Sequence, residues 1–425
     1  MKDNVSRKIK SFLGSNANMR AYTMNGILFT IVTIFSRTYA PKFMDRLGAG
    51  SLHYSLFNSL PGLVAVLTTI PGILYIQNAS DKGLLMRRFF YLSRFFPILL
   101  MATPFLPVSI RGYAFVVLFS LMNLPESIGQ TALQSWTGSI FHPQDIANAL
   151  SQRNKLSQVT TIVLSALVGI ILSLPPSGDN DGVIRLYQVL FLASVIFGIY
   201  EIKTLRKIKE VSRPAAPKTL KLGKSITSIF HHREFVLFLI CSLLFHFSWQ
   251  MGWPLFNLYQ IEYLKADEKW LALINVSNAL AMVLAYNLWS WLIRIKGYKL
   301  TTAIAVLGMA LSPAAYALTH TLALLTVMNI LIGIFVAGIT VVILGSLLES
   351  APADEVMLCT AVHQTLINIT LFVSPFVSEL ILRSHGIYTA LYVTSAARLL
   401  SAVAFFLRWY LTRERSTKQR IAADR

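Results

Sequence analysis

Leu322–Leu344 reads LALLTVMNILIGIFVAGITVVIL, and its only polar side chains are Thr326, Asn329 and Thr340. A helix needs about 20 mostly apolar residues to cross the roughly 30 Å hydrocarbon layer of a bilayer, and this run supplies them without a charge. The alternation that marks a strand of a transmembrane β-barrel, in segments of about 10 residues, is missing from it. Runs of the same kind recur from end to end of the 425-residue chain, which is 55% hydrophobic and 13% charged, with a mean hydropathy of +0.58. A soluble domain carries about 25% charge. These figures exclude a cytosolic enzyme, a disordered chain and a disulfide scaffold, and they predict an all-α polytopic membrane protein.

Apolar runs place spans near 21–39, 51–76, 89–107, 112–138, 155–174, 184–202, 234–257, 269–293, 300–318, 322–348, 360–382 and 387–409, so twelve transmembrane helices are expected. The net charge of +19 could point to nucleic acid, but the basic residues lie in short runs between apolar spans. By these spans, 28 Lys or Arg fall on the side that holds both termini and 8 on the other, the latter including Arg37; Arg94 and Arg398 lie within spans. Lys and Arg collect in cytoplasmic loops, so both termini are expected in the cytoplasm and the chain in the plasma (inner) membrane, with no nucleic-acid partner. The basic first twenty residues run into an apolar segment without a small-residue cleavage site, which reads as a retained signal-anchor. Cys241 and Cys359 fall in or beside spans, so no disulfide framework or metal cluster is expected.

The longest polar stretch, Lys203 to Arg233, carries nine Lys or Arg together with Pro214 and Pro217. The domain reading is a six-helix bundle over 1–202, a basic cytoplasmic linker over 203–233 and a second six-helix bundle over 234–425. Other connections are short, so any function must be built from the bundles. Two halves of this kind are how secondary transporters commonly hold a substrate near the bilayer midplane. A weak echo joins the halves: Gln77-Asn-Ala-Ser-Asp81-Lys82-Gly83 with Arg87-Arg88, and Ser290-Trp-Leu-Ile-Arg294-Ile-Lys296-Gly297-Tyr-Lys299. Each predicts a tight turn with Gly and Lys or Arg between apolar helices.

With twelve spans, a basic central loop and these paired loops, the chain resembles the major facilitator superfamily, whose signature between helices 2 and 3 runs Gly-x-x-x-Asp-Arg-x-Gly-Arg-Arg. Asp81 and Lys82 match its acidic and first basic positions; Gln77 replaces the first Gly, Gly83 comes one position early and Arg87-Arg88 two positions late. The second copy keeps the spacing to Gly297 but has Ser290 for Gly and Arg294 for Asp. Trp136 to Asn154, with Pro143 and Arg153, is similar to the segment that leads many members from helix 4 into helix 5, although Ile146-Ala-Asn-Ala149 replaces its usual Arg-Gly pair. The resemblance implies two pseudo-symmetric bundles around a central cavity lined by helices 1, 4, 7 and 10. It also implies a cytoplasmic gate built on Asp81, Lys82, Arg87 and Arg153.

An ionisable group in the hydrocarbon costs about 2.5–3.5 kcal/mol on insertion scales and marks function by default. Glu126 lies near the middle of the fourth span beside Pro125, and Asn123, Gln130 and Gln134 share its stripe at helical spacings. A carboxylate there reads as a proton or substrate site; the alternatives are a structural pair with Arg94 or a permanently protonated, hydrogen-bonded acid. In the seventh span His246, Gln250, Trp253 and Asn257 repeat the pattern, with His246 about 18 Å along the helix from Glu234. Trp249 and Trp253 offer faces for an organic ligand or a cation, or plain packing. His246 reads either as a proton or substrate contact or as an interhelical hydrogen bond. Asn25 completes the candidate substrate and proton set, while Asn278, Asn329 and Asn368 read as helix glue. Arg398 is expected to snorkel or pair inside its bundle, and Glu379 and Arg383, four apart, to form a local ion pair.

The sequence sets no carboxylate or Cys at ligand spacing from His231-His232, and no zinc-protease motif, phosphate loop or nucleophile elbow occurs. Neither an enzyme nor an ATP-driven pump is expected, and no cofactor. The function expected is secondary active transport of a small organic solute, coupled to protons, by a monomer in the lipid bilayer, as antiporter or symporter. The fifth span has only Gly169 and the distant Pro175-Pro176 where the drug-antiporter branch that it resembles would carry a glycine-rich Gly-Pro pattern. A lipid or glycolipid flippase, or a transport-dead receptor or scaffold, is the alternative.

Overall fold

The computed structural model describes residue 13 and residues 16–77, 81–141, 143–176, 178–209, 229–352 and 355–423, so most of the expected linker lies outside the described residues. Every element among them is helical. In chain order they are α1 (Ala17–Thr33), which runs into a π-helical turn over Ile34–Thr38, α2 (Ala40–Arg46), α3 (Ser51–Gln77), α4 (Lys82–Ala102), α5 (Val108–Ile140), α6 (Pro143–Leu172), α7 (Asn180–Leu205), α8 (Arg233–Leu258), α9 (Glu268–Leu318), α10 (Leu322–Ser350) and α11 (Val356–Ala423). Two long stretches are each two helices meeting at a glycine in the left-handed region, α9 at Gly297 (φ 74°) and α11 at Gly386 (φ 81°).

Helix starts follow from local chemistry. Asn16, Asp81, Asp179 and Thr321 accept the N–H of Met19, Leu84, Gly182 and Leu324, satisfying donors that a helix cannot bond internally. The echo between the paired loops is only half structural. Gly297 makes the expected turn, whereas Gly83 lies inside α4, where the Trp136 ring would meet a Cβ at 3.2 Å. The glycine in the first loop serves close packing.

Along α7, Val189, Leu192, Ile196 and Tyr200 face outward while Ser194 and Glu201 are buried. That is the reverse of a soluble helix and the arrangement a hydrocarbon solvent selects. Seven stretches among the described residues are long and apolar enough to cross a membrane, α9 and Leu358–Thr412 among them.

Two compact units form. The first draws its described residues from 1–53, 64–218 and 267–276, and packs Tyr22, Phe90, Leu133 and Trp136 into its core. The second draws from 54–63, 219–266 and 277–425, around Phe238, Phe245, Trp289 and Phe405. Each takes a short segment from the other half of the sequence. Cys241 and Cys359 are buried free thiols.

Candidate functional site

In the first unit four ionisable side chains form one chain of contacts. Arg94 on α4, 3% exposed, donates through Nε to Glu201 of α7 at 2.9 Å and through Nη1 to Glu126 of α5 at 2.8 Å. Ser93 Oγ donates to the same Glu126 oxygen at 2.8 Å. Arg37, carried by the π-helical turn, donates to Glu126 at 3.0 Å and to Asn123 Oδ1 at 2.7 Å. Inserted π-turns frequently occur at functional sites, and this one places a cation against α5. The stem of Arg94 lies on Gly198, where a Cβ would come within 2.6 Å of its Cδ, and its guanidinium faces the rings of Phe29 and Phe90. Oε1 of Glu201 is buried with no hydrogen-bond partner among the described residues.

The expectation of a lone Glu126 flanked by Gln130 and Gln134 therefore gives way to a carboxylate shared by two guanidiniums. Arg37, counted above with the loop charges opposite the termini, belongs to this site because the π-turn turns it inward. Asn123 joins through Arg37; Gln130 keeps a buried amide nitrogen with no partner among the described residues; the side chain of Gln134 lies outside the described ones. Asn25, fully buried, accepts from Arg153 Nη2 at 3.4 Å, and the Arg153 guanidinium stacks on Tyr22, 4.8 Å from the ring centre. Arg153 thus meets α1 rather than Asp81. Asp81 caps α4, and no ion pair joins it to Arg87 or Arg153 among the described residues. Residues 78–80 and the Lys82 side chain lie outside the described set.

A second polar cluster of this unit gathers around Glu268, 1% exposed. Its two oxygens accept from Arg46 Nε at 2.6 Å and Nη2 at 2.8 Å, and the Tyr187 hydroxyl donates at 3.3 Å. Partial burial works against the Arg46 charge, but the hydrogen bond and field of Glu268 more than offset it and raise the guanidinium above its ordinary value. Asn180 Oδ1 takes a third Arg46 hydrogen at 3.1 Å.

In the second unit, His246 and Trp249 of α8, Thr340 of α10 and Thr360, His363 and Gln364 of α11 line a cavity of about 220 Å³, completed by isoleucine and leucine side chains of α10 and α11. Of the expected residues His246 and Trp249 line it. Gln250 donates to the Ile367 carbonyl at 3.4 Å and accepts from Thr370 at 2.7 Å, which ties α8 to α11; Trp253 packs edge-on to Trp249. Asn278 donates to the carbonyl of Asn329 at 3.3 Å, as helix glue. Glu379 and Arg383 form the expected pair at 2.7 Å.

Arg398 is fully buried in this unit. It donates to the carbonyls of Ser248 at 3.3 Å, Trp249 at 2.9 Å and Met309 at 3.1 Å, and to Ser312 Oγ. The Met309 carbonyl accepts from Arg398 and from the Ser312 hydroxyl at 2.9 Å, since Pro313, four residues on, has no N–H to give it. Gly252 leaves the room: a Cβ there would lie 2.5 Å from Arg398 Nη2. Arg408 is likewise enclosed, donating to Ser346 and Ser350.

Arg37, Glu201 and His363 escaped the sequence reading. Glu201 sits at the rim of an apolar run, Arg37 at the end of the first span, and His363 near the start of the eleventh beside Thr360, Gln364 and Thr370. A signal for Arg37 existed in charge balance, since Glu126 and Glu201 against Arg94 alone inside the same six spans call for a second cation.

Residues 238–425 match the model described as Major Facilitator Superfamily. Among solved structures, a nucleoside transporter, NupG, in its D323A form is 12% identical with a TM-score of 0.69, covering 92% of this chain and 100% of that one. A bacterial homologue of the iron transporter ferroportin, inward-facing, is 13% identical with a TM-score of 0.68 over 92% of this chain and 98% of that one. A bacterial homologue of the human lysosomal transporter Spinster, inward-facing and occupied, is 12% identical with a TM-score of 0.66 over 93% and 96%. At such identities the likeness is one of fold. No curated protein sequence matches.

Proposed function

We propose that this chain, whose residues 238–425 match the Major Facilitator Superfamily model, is a membrane transporter of that family and moves a small organic solute across the membrane by alternating access. The observation that carries this reading is the Arg37–Glu126–Arg94–Glu201 chain. Charges in the hydrocarbon are expensive and are held where ions or substrates pass, and this chain ends at a partly exposed Arg37 on a π-turn. Two cations balance two carboxylates. When Arg37 withdraws, Glu126 and Glu201 share one guanidinium, and a proton neutralises the excess negative charge; in this scheme proton movement follows the position of Arg37.

The same reading takes α9 and α11 as two spans each and adds α1, α3 and α4, which gives twelve spans in two bundles. The Lys and Arg bias supports cytoplasmic termini in a plasma (inner) membrane, and the transporter works as a monomer. The test is reconstitution in liposomes under an imposed pH gradient, with a panel of labelled neutral, anionic and cationic solutes. Accumulation of at least one solute that collapses with the gradient is expected. Flux that ignores the gradient removes the proton, and absence of flux for the whole panel removes transport.

A further inference from the structure

Two imidazoles set the chemistry of the cavity in the second unit. His246 Nδ1 lies 2.8 Å from the carbonyl oxygen of Ser242, which only accepts, so Nδ1 carries the hydrogen. Ser242 Oγ stands 3.2 Å from that nitrogen and 2.8 Å from His363 Nε2. A serine hydroxyl can accept from His246 and give its own hydrogen to His363 Nε2, the arrangement that leaves the hydrogen of that ring on Nδ1. Among the described residues no carboxylate pairs with either ring, and a buried charge without a partner costs several kcal/mol, so both rings are neutral. His246 thus presents Nε2 as an acceptor, and in that arrangement His363 presents Nδ1–H as a donor. Neither atom has a hydrogen-bond partner among the described residues. The rings are 5.7 Å apart, centre to centre.

The remaining wall fits that pair. Trp249, which lines the cavity, supplies an aromatic face for a flat ligand. Thr340, Thr360 and Gln364 are polar but uncharged, and among the described residues no Lys, Arg, Asp or Glu lines the cavity. Its volume of about 220 Å³ falls below the roughly 300–1,000 Å³ of sites for drug-sized ligands.

We infer that this cavity is a binding site for a small, uncharged, planar ring carrying adjacent N–H and C=O groups, the amide-type edge of a nucleobase or cyclic imide. The ligand N–H donates to His246 Nε2 and its C=O accepts from His363 Nδ1–H, with the ring against Trp249. The inference rests on the transport reading only in naming the solute carried; the binding itself stands apart from it.

Calorimetric titration of the full-length purified protein tests it with three probes. Uracil has the edge, 1,3-dimethyluracil lacks its N–H groups, and orotate adds a carboxylate. Uracil is expected to bind, and the other two to bind at least roughly tenfold more weakly, because a site built around hydrogen bonds rejects a ligand that leaves them unmade. His246→Leu, checked by an unchanged melting temperature, should weaken uracil by roughly the same factor. Uracil failing to bind, or binding no better than either analogue, overturns the inference whether or not the variant folds. Uracil binding without flux in liposomes keeps the site and sinks the transport reading; flux of another solute without uracil binding does the reverse.

Discussion

Arg94 in the first unit and Arg398 in the second are both enclosed guanidiniums lying on a glycine, Gly198 and Gly252, and both face phenylalanine rings. Their partners differ in kind. Arg94 meets two carboxylates, whereas Arg398 meets three backbone carbonyls and a serine. The first arrangement is neutral as a whole and, in the proposed cycle, exchanges charge with a proton; the second takes its stability from dipoles that cannot leave. An enclosed arginine is thus not one thing. Answered by acids it belongs to a network that can switch, and answered by carbonyls it is a staple that ties α11 to α8 and α9.

The largest loss is expected from Arg94→Met. It leaves Glu126 with Arg37 alone and Glu201 with no cation, and removing one partner of a buried ion pair costs about 3–5 kcal/mol. Thermal unfolding of the detergent-solubilised protein should show that loss, and Arg94→Met with Glu201→Gln should recover much of it. A single variant as stable as the double would mean that the Glu201 charge is not held by Arg94.

Arg398→Met should cost less, about 1–3 kcal/mol. The Ser248 and Trp249 carbonyls keep the N–H groups of their own helix, and the Met309 carbonyl keeps the Ser312 hydroxyl at 2.9 Å. Only the methionine-sized shape and the weakened Pro313 turn are at stake. A loss equal to that of Arg94→Met, in the same unfolding assay, would erase the distinction between switch and staple.

Much of this architecture was legible in the sequence, and the illegible part has a common cause. Apolar runs announce spans because a helix satisfies its own backbone and needs only length and hydrophobicity to live in lipid. The Glu379–Arg383 pair was legible because its spacing of four is a local property of a helix. Glu126 stood out for the same reason, as an acid on a polar stripe. Its partners did not: Arg37 lies 89 residues away, the Arg94–Glu201 contact spans 107, and Ser242 to His363 spans 121. Pairings across helices depend on which faces turn together, and the π-turn that rotates Arg37 inward leaves no mark in composition.

Glu126→Gln sharpens the functional side of the comparison. The change keeps shape and hydrogen bonds to Ser93, Arg94 and Arg37 but leaves the network with one positive charge in excess, which the partly exposed Arg37 can relieve in water. The expected stability loss is about 1 kcal/mol. In liposomes the variant should lose gradient-driven accumulation while retaining exchange of solute. Accumulation equal to that of the parent protein would make the Glu126 side of the network as inert as the Arg398 staple.

The smallest effect belongs to Asp81, which both readings of the first unit claim. As a helix cap it satisfies the Leu84 N–H at 2.7 Å, and an asparagine oxygen in the same place does so nearly as well, whereas alanine cannot. As a gate it would need its charge for Arg87 or Arg153 in another state of the cycle, and asparagine would fail. Asp81→Ala should therefore cost about 1 kcal/mol in the unfolding assay, while Asp81→Asn should stay within roughly 0.5 kcal/mol of the parent. Turnover in liposomes then separates the roles. With Arg153 already engaged by Tyr22 and Asn25, the cap alone predicts full turnover for Asp81→Asn. A slowed Asp81→Asn of parental stability would show that Arg153 leaves α1 for Asp81 during the cycle, and would add a second switching arginine to the unit that already holds Arg37.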